Sequence, residues 1–509
     1  MDFLKFNNPG RLFYTALTVT LILRLILAGW LPLSGDEAYF VVWAKHLDYG
    51  YYDHPPMVGW FLYLMLQFGH SEVLLRLPAI MTTITISLGI YQLLKKQDET
   101  KAALAATLFL VSPINVLNVL ITTDTPLLLF AFLSMAALYR AQQQEKLAWY
   151  IVSGIFFGMG FLSKYFAVLL GLAYFTYWLT SRKTTRKTVG FAMLFALSLP
   201  FALINLYWNY THCWDNILFN LYTRNENAHF SPANIAAYLG ILLYLITPPV
   251  LWQLFRQRNS LKLQLQQSNM RVMLYVFAVP LLIFAMLSTK KMVGLHWVLA
   301  FFPALYLLLF AALGSEDLKK LLRFMLGFTA VHVILLAVLL AMPLETWKHN
   351  RLYGGLVFLF EHEKVVEQLK PFEKEYLFAT DGYSPSATIE YYYGKPFFVF
   401  GEGGLHARQD DMLTDFSQFN SKDILILSKS APDLNDYAPY FAKIDTRTFT
   451  IRDATFHLVL GHGFNFEKYR NEVLQTIREK YYRIPSFLHH APCYFCEKYF
   501  SNPCDAPMK

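Results

Sequence analysis

Charge is what this chain of 509 residues has least of: 16% of it is Asp, Glu, Lys or Arg, against 55% hydrophobic and 17% aromatic. That balance excludes an ordinary soluble domain and places the chain among integral membrane proteins. Cysteine is scarce as well, with 4 in all, which excludes a disulfide-dense scaffold. Walker A sequences, zinc-finger frames and sustained basic tracts are missing, so nothing points to nucleotide hydrolysis or to nucleic acid as a partner. A cleavable signal is not visible either. The first apolar run, Leu12 to Leu31, is too long for a signal core and is followed by charge instead of a small-residue cleavage site, so it is expected to stay as the first span.

The charge that is present is unevenly placed. From Glu345 onward, 19 Lys and Arg stand against 22 Asp and Glu, net −3; before it, 25 stand against 14, net +11. A composition shift of this kind marks a boundary, here near Pro343. The expected organisation is a basic, lipid-embedded body over 1–343, with a first outer loop at 32–72, and an extracytoplasmic α/β domain over 344–509.

Apolar runs long enough for a hydrocarbon core of about 30 Å, at about 20 residues per helix, can be read along the first body. They lie at 11–31, 73–94, 101–119, 125–140, 147–163, 165–180, 188–206, 234–255, 271–288, 296–313 and 324–342, which predicts eleven transmembrane helices. With a cytoplasmic N-terminus, the inside loops hold 18 Lys and Arg, from Lys5 and Arg11 to Lys320 and Arg323. The outside loops hold six: Lys45, Arg76, Lys164, Arg224, Lys290 and Lys291. The positive-inside rule therefore puts the first outer loop, and everything after Pro343, on the extracytoplasmic side of the cytoplasmic (inner) membrane.

That first outer loop contains SGDEAYFVVWAKHLDYGYYDHPPM, residues 34–57, with Asp36, Glu37, Asp48, Asp53, His46 and His54 directly after a membrane-length segment. Polar groups beside lipid cost several kcal/mol unless paired or wet, so the cluster needs a reason and is read as the reaction centre. Apolar spacing in AYFVVWAKHL and MVGWFLYLMLQF predicts two helices lying along the membrane, separated by Pro55 and Pro56. Asp124, in TTDTP, is the only charged residue between Lys101 and Arg140. It can cap the helix that Thr125 and Pro126 open, or serve a site, and the two are compatible. Lys290 and Lys291, on the face that should avoid them, either snorkel to head groups or seat a lipid phosphate. Lys164 and Arg224 are further candidates for that seat, and Arg24, inside the first span, either snorkels or pairs within the bundle.

GDEAY, YYDHPPM, TTDTP, FLSKYFAVLLGLAY and the later KKMVGLHW, in this order and spacing, resemble the family 39 glycosyltransferases of the GT-C fold. The likeness is to the bacterial branch, akin to protein O-mannosyltransferases, the lipid A aminoarabinose transferase and the galacturonic acid transferases of lipopolysaccharide. The resemblance implies sugar transfer from a polyprenyl-phosphate donor, with inversion, to an envelope glycolipid acceptor, or alternatively to protein. The family's Asp-Glu pair matches Asp36 and Glu37, and its second loop acid matches Asp124. Where some relatives carry Glu-Lys-Pro-Pro this chain has Asp53, His54, Pro55 and Pro56, so the acid is kept and a histidine replaces the lysine, which leaves contact of His54 with the donor phosphate open. An acceptor hydroxyl is a poor nucleophile and needs a base, for which Asp36 is the candidate. The leaving lipid phosphate needs positive charge, from His54, Lys290, Lys291, Lys164 or Arg224, or from a divalent ion on Asp53 or Asp124.

In the last third, YLFATD, PFFVFG and DILILS predict strands, EKVVEQLK and FEKYRNEVLQTIREKYY predict helices, and GEGG at 401–404 reads as a turn. Cys493, Cys496 and Cys504, beside His489 and His490, with Cys213 in an outer loop, fit either a zinc site or structural disulfides. A transporter or flippase of lipid-linked sugars is the rival class. Against it, mid-span charge is nearly absent and the acids gather on one face.

Overall fold

The computed structural model describes residues 8–225, 229–485, 487, 488, 491–500 and 504; Lys5, His489 and His490 lie outside them. The chain forms two compact units. One is built from Met1–Leu31, Pro55–Ile204 and Asn227–Leu340, the other from Pro32–His54, Asn205–Glu226 and Ala341–Lys509.

The first unit is helical, as its long apolar runs require, and the chain is a multi-pass membrane protein. Five helices are long and apolar enough to cross a membrane: Pro9–Trp30, Glu72–Leu94, Thr185–Thr211, Ser268–Ser288 and Ser315–Ala341. Two bent pairs raise the number to seven among the described residues: Pro232–Ile246 with Pro248–Arg256, bent by 75°, and Leu295–Phe301 with Pro303–Ala312, bent by 53°. The eleven runs therefore do not all become helices of full membrane length, and proline accounts for much of the difference. In the 101–119 run the helix stops at Leu110, because Ser112 is extended ahead of Pro113, which starts a separate turn. Thr247, with φ of 70°, breaks the 234–255 run in the same way ahead of Pro248. Leu147–Phe161 and Ala167–Thr180, of 15 and 14 residues, are apolar but short.

Two arginines repair the polar groups that these ends and breaks leave. Arg24, fully buried, donates from Nε and Nη2 to the carbonyl of Asn115 at 3.1 and 2.8 Å, so it pairs within the bundle and does not snorkel. Arg76, equally buried, donates to the carbonyls of Ala28 and Leu31 at 2.9 and 2.6 Å and so closes the C-terminal end of the Pro9–Trp30 helix. Helix-end carbonyls without such partners are costly away from water.

The second unit is organised by a five-stranded sheet of order β2-β1-β3-β5-β4, with β1 at Leu377–Thr380, β2 at Phe397–Val399, β3 at Ile424–Ser428, β4 at Phe441–Ile451 and β5 at Ala454–Phe464. The first three strands are parallel and are the three that the sequence predicts. Their near-continuous burial matches strands covered on both faces. The β4–β5 hairpin closes through Arg452 and Asp453, both with positive φ, as a two-residue turn of matching twist requires. The GEGG segment is a turn, with positive φ at Gly401, Gly403 and Gly404.

In the same unit, Ser34 starts the Gly35–Lys45 helix, which packs on the Tyr383–Tyr393 helix. The approach is so close that a Cβ on Gly35 would lie 1.7 Å from the Ser384 hydroxyl oxygen. Among the zinc and disulfide alternatives, the cysteines take the second: Cys213 pairs with Cys493 and Cys496 with Cys504, leaving no free thiol.

Candidate functional site

The adjacent acids of GDE have separate fates. Glu37, 1% exposed, is the third residue of a capping box: its carboxylate accepts from the Ser34 amide at 3.0 Å and the Ser34 hydroxyl at 3.1 Å. The Ser34 hydroxyl in turn accepts from the Glu37 amide at 3.3 Å. Glu37 therefore secures the helix start, and Asp36, one position earlier, is exposed. Its Oδ1 accepts a 3.0 Å hydrogen bond from the Tyr383 hydroxyl. Burial, and then the charge of Asp36, hold the Tyr383 phenol above its ordinary pKa, so it stays a donor at neutral pH.

Further along the same segment, Asp53 is buried between two histidines. His54 Nδ1 lies 3.2 Å from Oδ1, and His406 Nδ1 lies 3.0 Å from Oδ2. Burial alone would raise the Asp53 pKa, but the two imidazoles outweigh it and hold the carboxyl below its ordinary range. His54, the residue standing in place of a lysine, thus lies beside Asp53. Asn220 donates to the Asp53 carbonyl at 3.3 Å, tying the 205–226 segment to this loop. A second buried network lies beyond it. Arg408 pairs with Asp411 at 3.0 Å, Tyr482 donates to Asp411 at 2.8 Å, and Tyr494 donates to Asp215 at 2.7 Å. Arg224 sits in this unit, half-buried, in the short Thr223–Asn225 turn.

The other sequence-predicted residues belong to the first unit. Asp124 opens the Asp124–Gln144 helix, whose N-cap residue, Thr123, makes no side-chain cap bond. Both Asp124 oxygens accept from Lys164 Nζ, at 2.8 and 2.7 Å, and His296 Nε2 lies 3.9 Å away. Lys164 is thus paired with Asp124, in a charge-assisted contact at the positive end of a helix. Asp124 and His296 edge a cavity of about 360 Å³ whose walls are otherwise mainly apolar, among them Ile114, Leu117, Leu128 and Leu299. Lys290 and Lys291 follow the Ser268–Ser288 helix, each amide donating to the Leu287 carbonyl at 3.0 Å. Cations are favoured at such a C-terminal turn.

The structure therefore joins Asp53 with His54, and Asp124 with Lys164. It adds Tyr383, His406 and His296. Sequence reasoning could not find the first two, which stand about 350 positions from their partners, whereas His296 lies within the quoted KKMVGLHW. A divalent ion does not fit Asp124, one of the two residues proposed for it. Both Asp124 oxygens accept from one ammonium, which leaves none for a hard cation, whereas at Asp53 His406 engages Oδ2 and Oδ1 has no hydrogen-bond partner among the described residues. Among the described residues, the one cluster of three or more close metal-ligating side chains is Cys493, Cys496 and Cys504, already in disulfides.

Comparison with known proteins agrees with this architecture. Residues 53–208 match the family model described as dolichyl-phosphate-mannose-protein mannosyltransferase. The lipid A galacturonosyltransferase RgtD of Rhizobium johnstonii is 26% identical over 236 residues, 43% of this chain; the chain spans 49% of that protein's length. Among solved structures, ArnT from Cupriavidus metallidurans in the apo state aligns with a TM-score of 0.62 at 14% identity, covering 88% of this chain and 97% of ArnT. The same protein bound to undecaprenyl phosphate aligns with a TM-score of 0.61 at 13% identity, with the same coverage. The resemblance to the family 39 glycosyltransferases of the GT-C fold therefore holds, in sequence over residues 53–208 and in fold over 88% of the chain.

Proposed function

We propose that the protein is an inverting glycosyltransferase that moves a sugar from a polyprenyl-phosphate donor to an envelope glycolipid of the lipid A type, at the outer face of the inner membrane. The observation that carries this reading is the separation of roles in GDE: Glu37 is consumed by the capping box, and Asp36 is left exposed and oriented by Tyr383. The similarity to a lipid A galacturonosyltransferase supports the acceptor class, and the fold shared with a protein crystallised with undecaprenyl phosphate supports the donor class.

In this reading Asp36 takes the proton of the acceptor hydroxyl as its oxygen bonds to the anomeric carbon from the face opposite the lipid phosphate. The bond from that carbon to the phosphate oxygen breaks, the electron pair leaves with the polyprenyl phosphate, and Asp36 later returns its proton to water. Arg224, in the same unit as Asp36, meets the phosphate charge. Within the first unit, the apolar cavity edged by Asp124 and His296 suits an isoprenoid chain, and pairing with Lys164 neutralises Asp124 there. Glu37, His54 and Asp53 position the loop that carries Asp36. We assign eleven crossings with the N-terminus inside, counting the short apolar helices as spans packed among longer neighbours.

Purified protein incubated with labelled polyprenyl-phosphate sugars and lipid A should transfer label to lipid A. Asp36→Asn should lower that rate by about 10²–10⁴ while leaving the melting temperature unchanged. Failure of the wild type with every donor would end the transferase reading; full activity of Asp36→Asn would remove the base assignment alone. The matching family model's description favours one second reading, transfer of mannose to protein hydroxyls, and label appearing on protein in place of lipid A would select it.

A further inference from the structure

Within the second unit, a cavity of about 330 Å³ lies among the Gly35–Lys45 helix, the Tyr383–Tyr393 helix, β2 and the residues around Asp410 and Asp415. Its size falls at the lower end of ligand cavities, about 300–1,000 Å³, enough for a sugar ring with its substituents. None of the assignments above uses it.

Its lining states a chemistry. Tyr39, Phe397 and Phe398 supply aromatic surface, and three carboxylates, Glu390, Asp410 and Asp415, supply acceptors; neither Lys nor Arg lines it. The acids are already partly engaged. Glu390 accepts from Lys45 at 3.2 Å, Asp410 Oδ2 accepts from the Val399 amide at 3.0 Å, and Asp415 accepts from the Gln418 amide at 2.9 Å. His46 is the one other charged or readily charged group on the wall. Aromatic faces meet the C–H face of a pyranose, and carboxylate oxygens accept from its hydroxyls or from an ammonium. A phosphate or uronate would instead confront the charges of Glu390 and Asp415, and in part that of Asp410, with no lining Lys or Arg.

Its position ties it to the candidate base. Asp36, Tyr39, Val42 and His46 recur every three or four residues and so share one face of the Gly35–Lys45 helix and its C-cap. The last three line the cavity, and Tyr383 both lines it and donates to Asp36.

We propose that this cavity is a saccharide subsite that seats a neutral or amine-bearing sugar ring of the acceptor, next to the ring that receives the transferred sugar. The assignment to the acceptor rests on the transferase reading above; the binding itself does not. Saturation-transfer NMR on the full chain in detergent tests the binding, with methyl β-glucoside, methyl β-glucosaminide and methyl β-glucuronide as probes. The first two should give signals and the glucuronide none. Leu413→Trp, which fills the mouth from an exposed lining position, should abolish those signals, and Gln418→Ala, at another exposed lining position, should weaken them. Melting curves of both variants establish that they fold. No signal in the wild type, equal signals from the glucuronide, or unchanged signals in folded Leu413→Trp would overturn the proposal. In transfer assays Leu413→Trp should raise the KM for acceptor at least about tenfold with little change in the KM for donor. The reverse pattern would assign the subsite to the donor sugar and overturn the acceptor assignment. If the wild type transfers nothing, the transferase reading falls and the NMR arm alone decides the cavity.

Discussion

Replacing Asp410 by Asn should make the protein more stable at alkaline pH and flatten the pH dependence of its melting. Burial pushes the Asp410 carboxyl from 3.8 up to about 7; the Val399 amide opposes the rise and the nearby Asp411 charge adds to it. Between about pH 4 and pH 7 the folded protein therefore holds a proton that the unfolded chain has released, and stability falls as pH rises through that window. Three pKa units at 1.36 kcal/mol each set an upper bound of about 4 kcal/mol. Asp410 keeps part of its surface at the cavity, where water screens it, so about 2 kcal/mol is the expected value. Asn keeps an oxygen for the Val399 amide and the Thr414 hydroxyl while removing the charge. In a unit of this size about 2 kcal/mol corresponds to a shift of roughly 4–8 °C. Fluorescence-detected melting in detergent at pH 5 and pH 8 reads it directly. Asp410→Asn should melt higher than wild type at pH 8, and the gap should shrink at pH 5 and close only below about pH 4. A variant less stable than wild type at pH 8, or one that keeps the full wild-type pH dependence, would refute the reasoning.

Three further perturbations probe the assembly. Lys164→Met removes the ammonium that holds the Asp124 carboxylate at an apolar cavity and should destabilise the protein by about 3–5 kcal/mol; adding Asp124→Leu, which removes the charge left behind, should restore the melting temperature and much of the transfer, and thermal scans with activity assays read both. Gly35→Ala places a Cβ 1.7 Å from Ser384 Oγ and should cost both stability and activity, with Ser384→Gly recovering much of the loss in the double variant. Cys213→Ser should lower stability by about 2–5 kcal/mol in denaturant melts, and Cys493→Ser should do the same, because each opens the same bond.

Some of this was legible from residue order and some could not have been. The membrane class, the helices on either side of Pro55 and Pro56, and the strands β1 to β3 follow from local apolar periodicity, which the fold obeys. Proline decided where that reading failed: Pro113 and Pro248 interrupt runs that hydropathy alone treats as continuous. At the site, GDE was visible as a cluster, but the division of labour within it was not. Only the capping geometry separates the buried Glu37 from the exposed Asp36. Tyr383 and His406 are brought to the first outer loop by tertiary folding of the last third of the chain, and no local pattern encodes that partnership. The β4–β5 hairpin escaped notice because Arg452–Asp453 is not one of the glycine-bearing turns that betray hairpins in sequence.

The link between Cys213 and Cys493, 280 positions apart, carries a topological consequence. A covalent bond of this kind requires both sulfurs on one side of the membrane, so the chain between them must cross an even number of times. Ser268–Ser288 and Ser315–Ala341, each long and apolar enough to cross, supply two crossings in the proposed topology. The two bent pairs, Pro232–Ile246 with Pro248–Arg256 and Leu295–Phe301 with Pro303–Ala312, are then bound to a common fate: both traverse the bilayer, as eleven crossings require, or both turn back within it and the total falls to nine. Parity in this stretch makes the behaviour of either pair a report on the other, and a single accessibility label placed between Arg256 and Ser268 reads both.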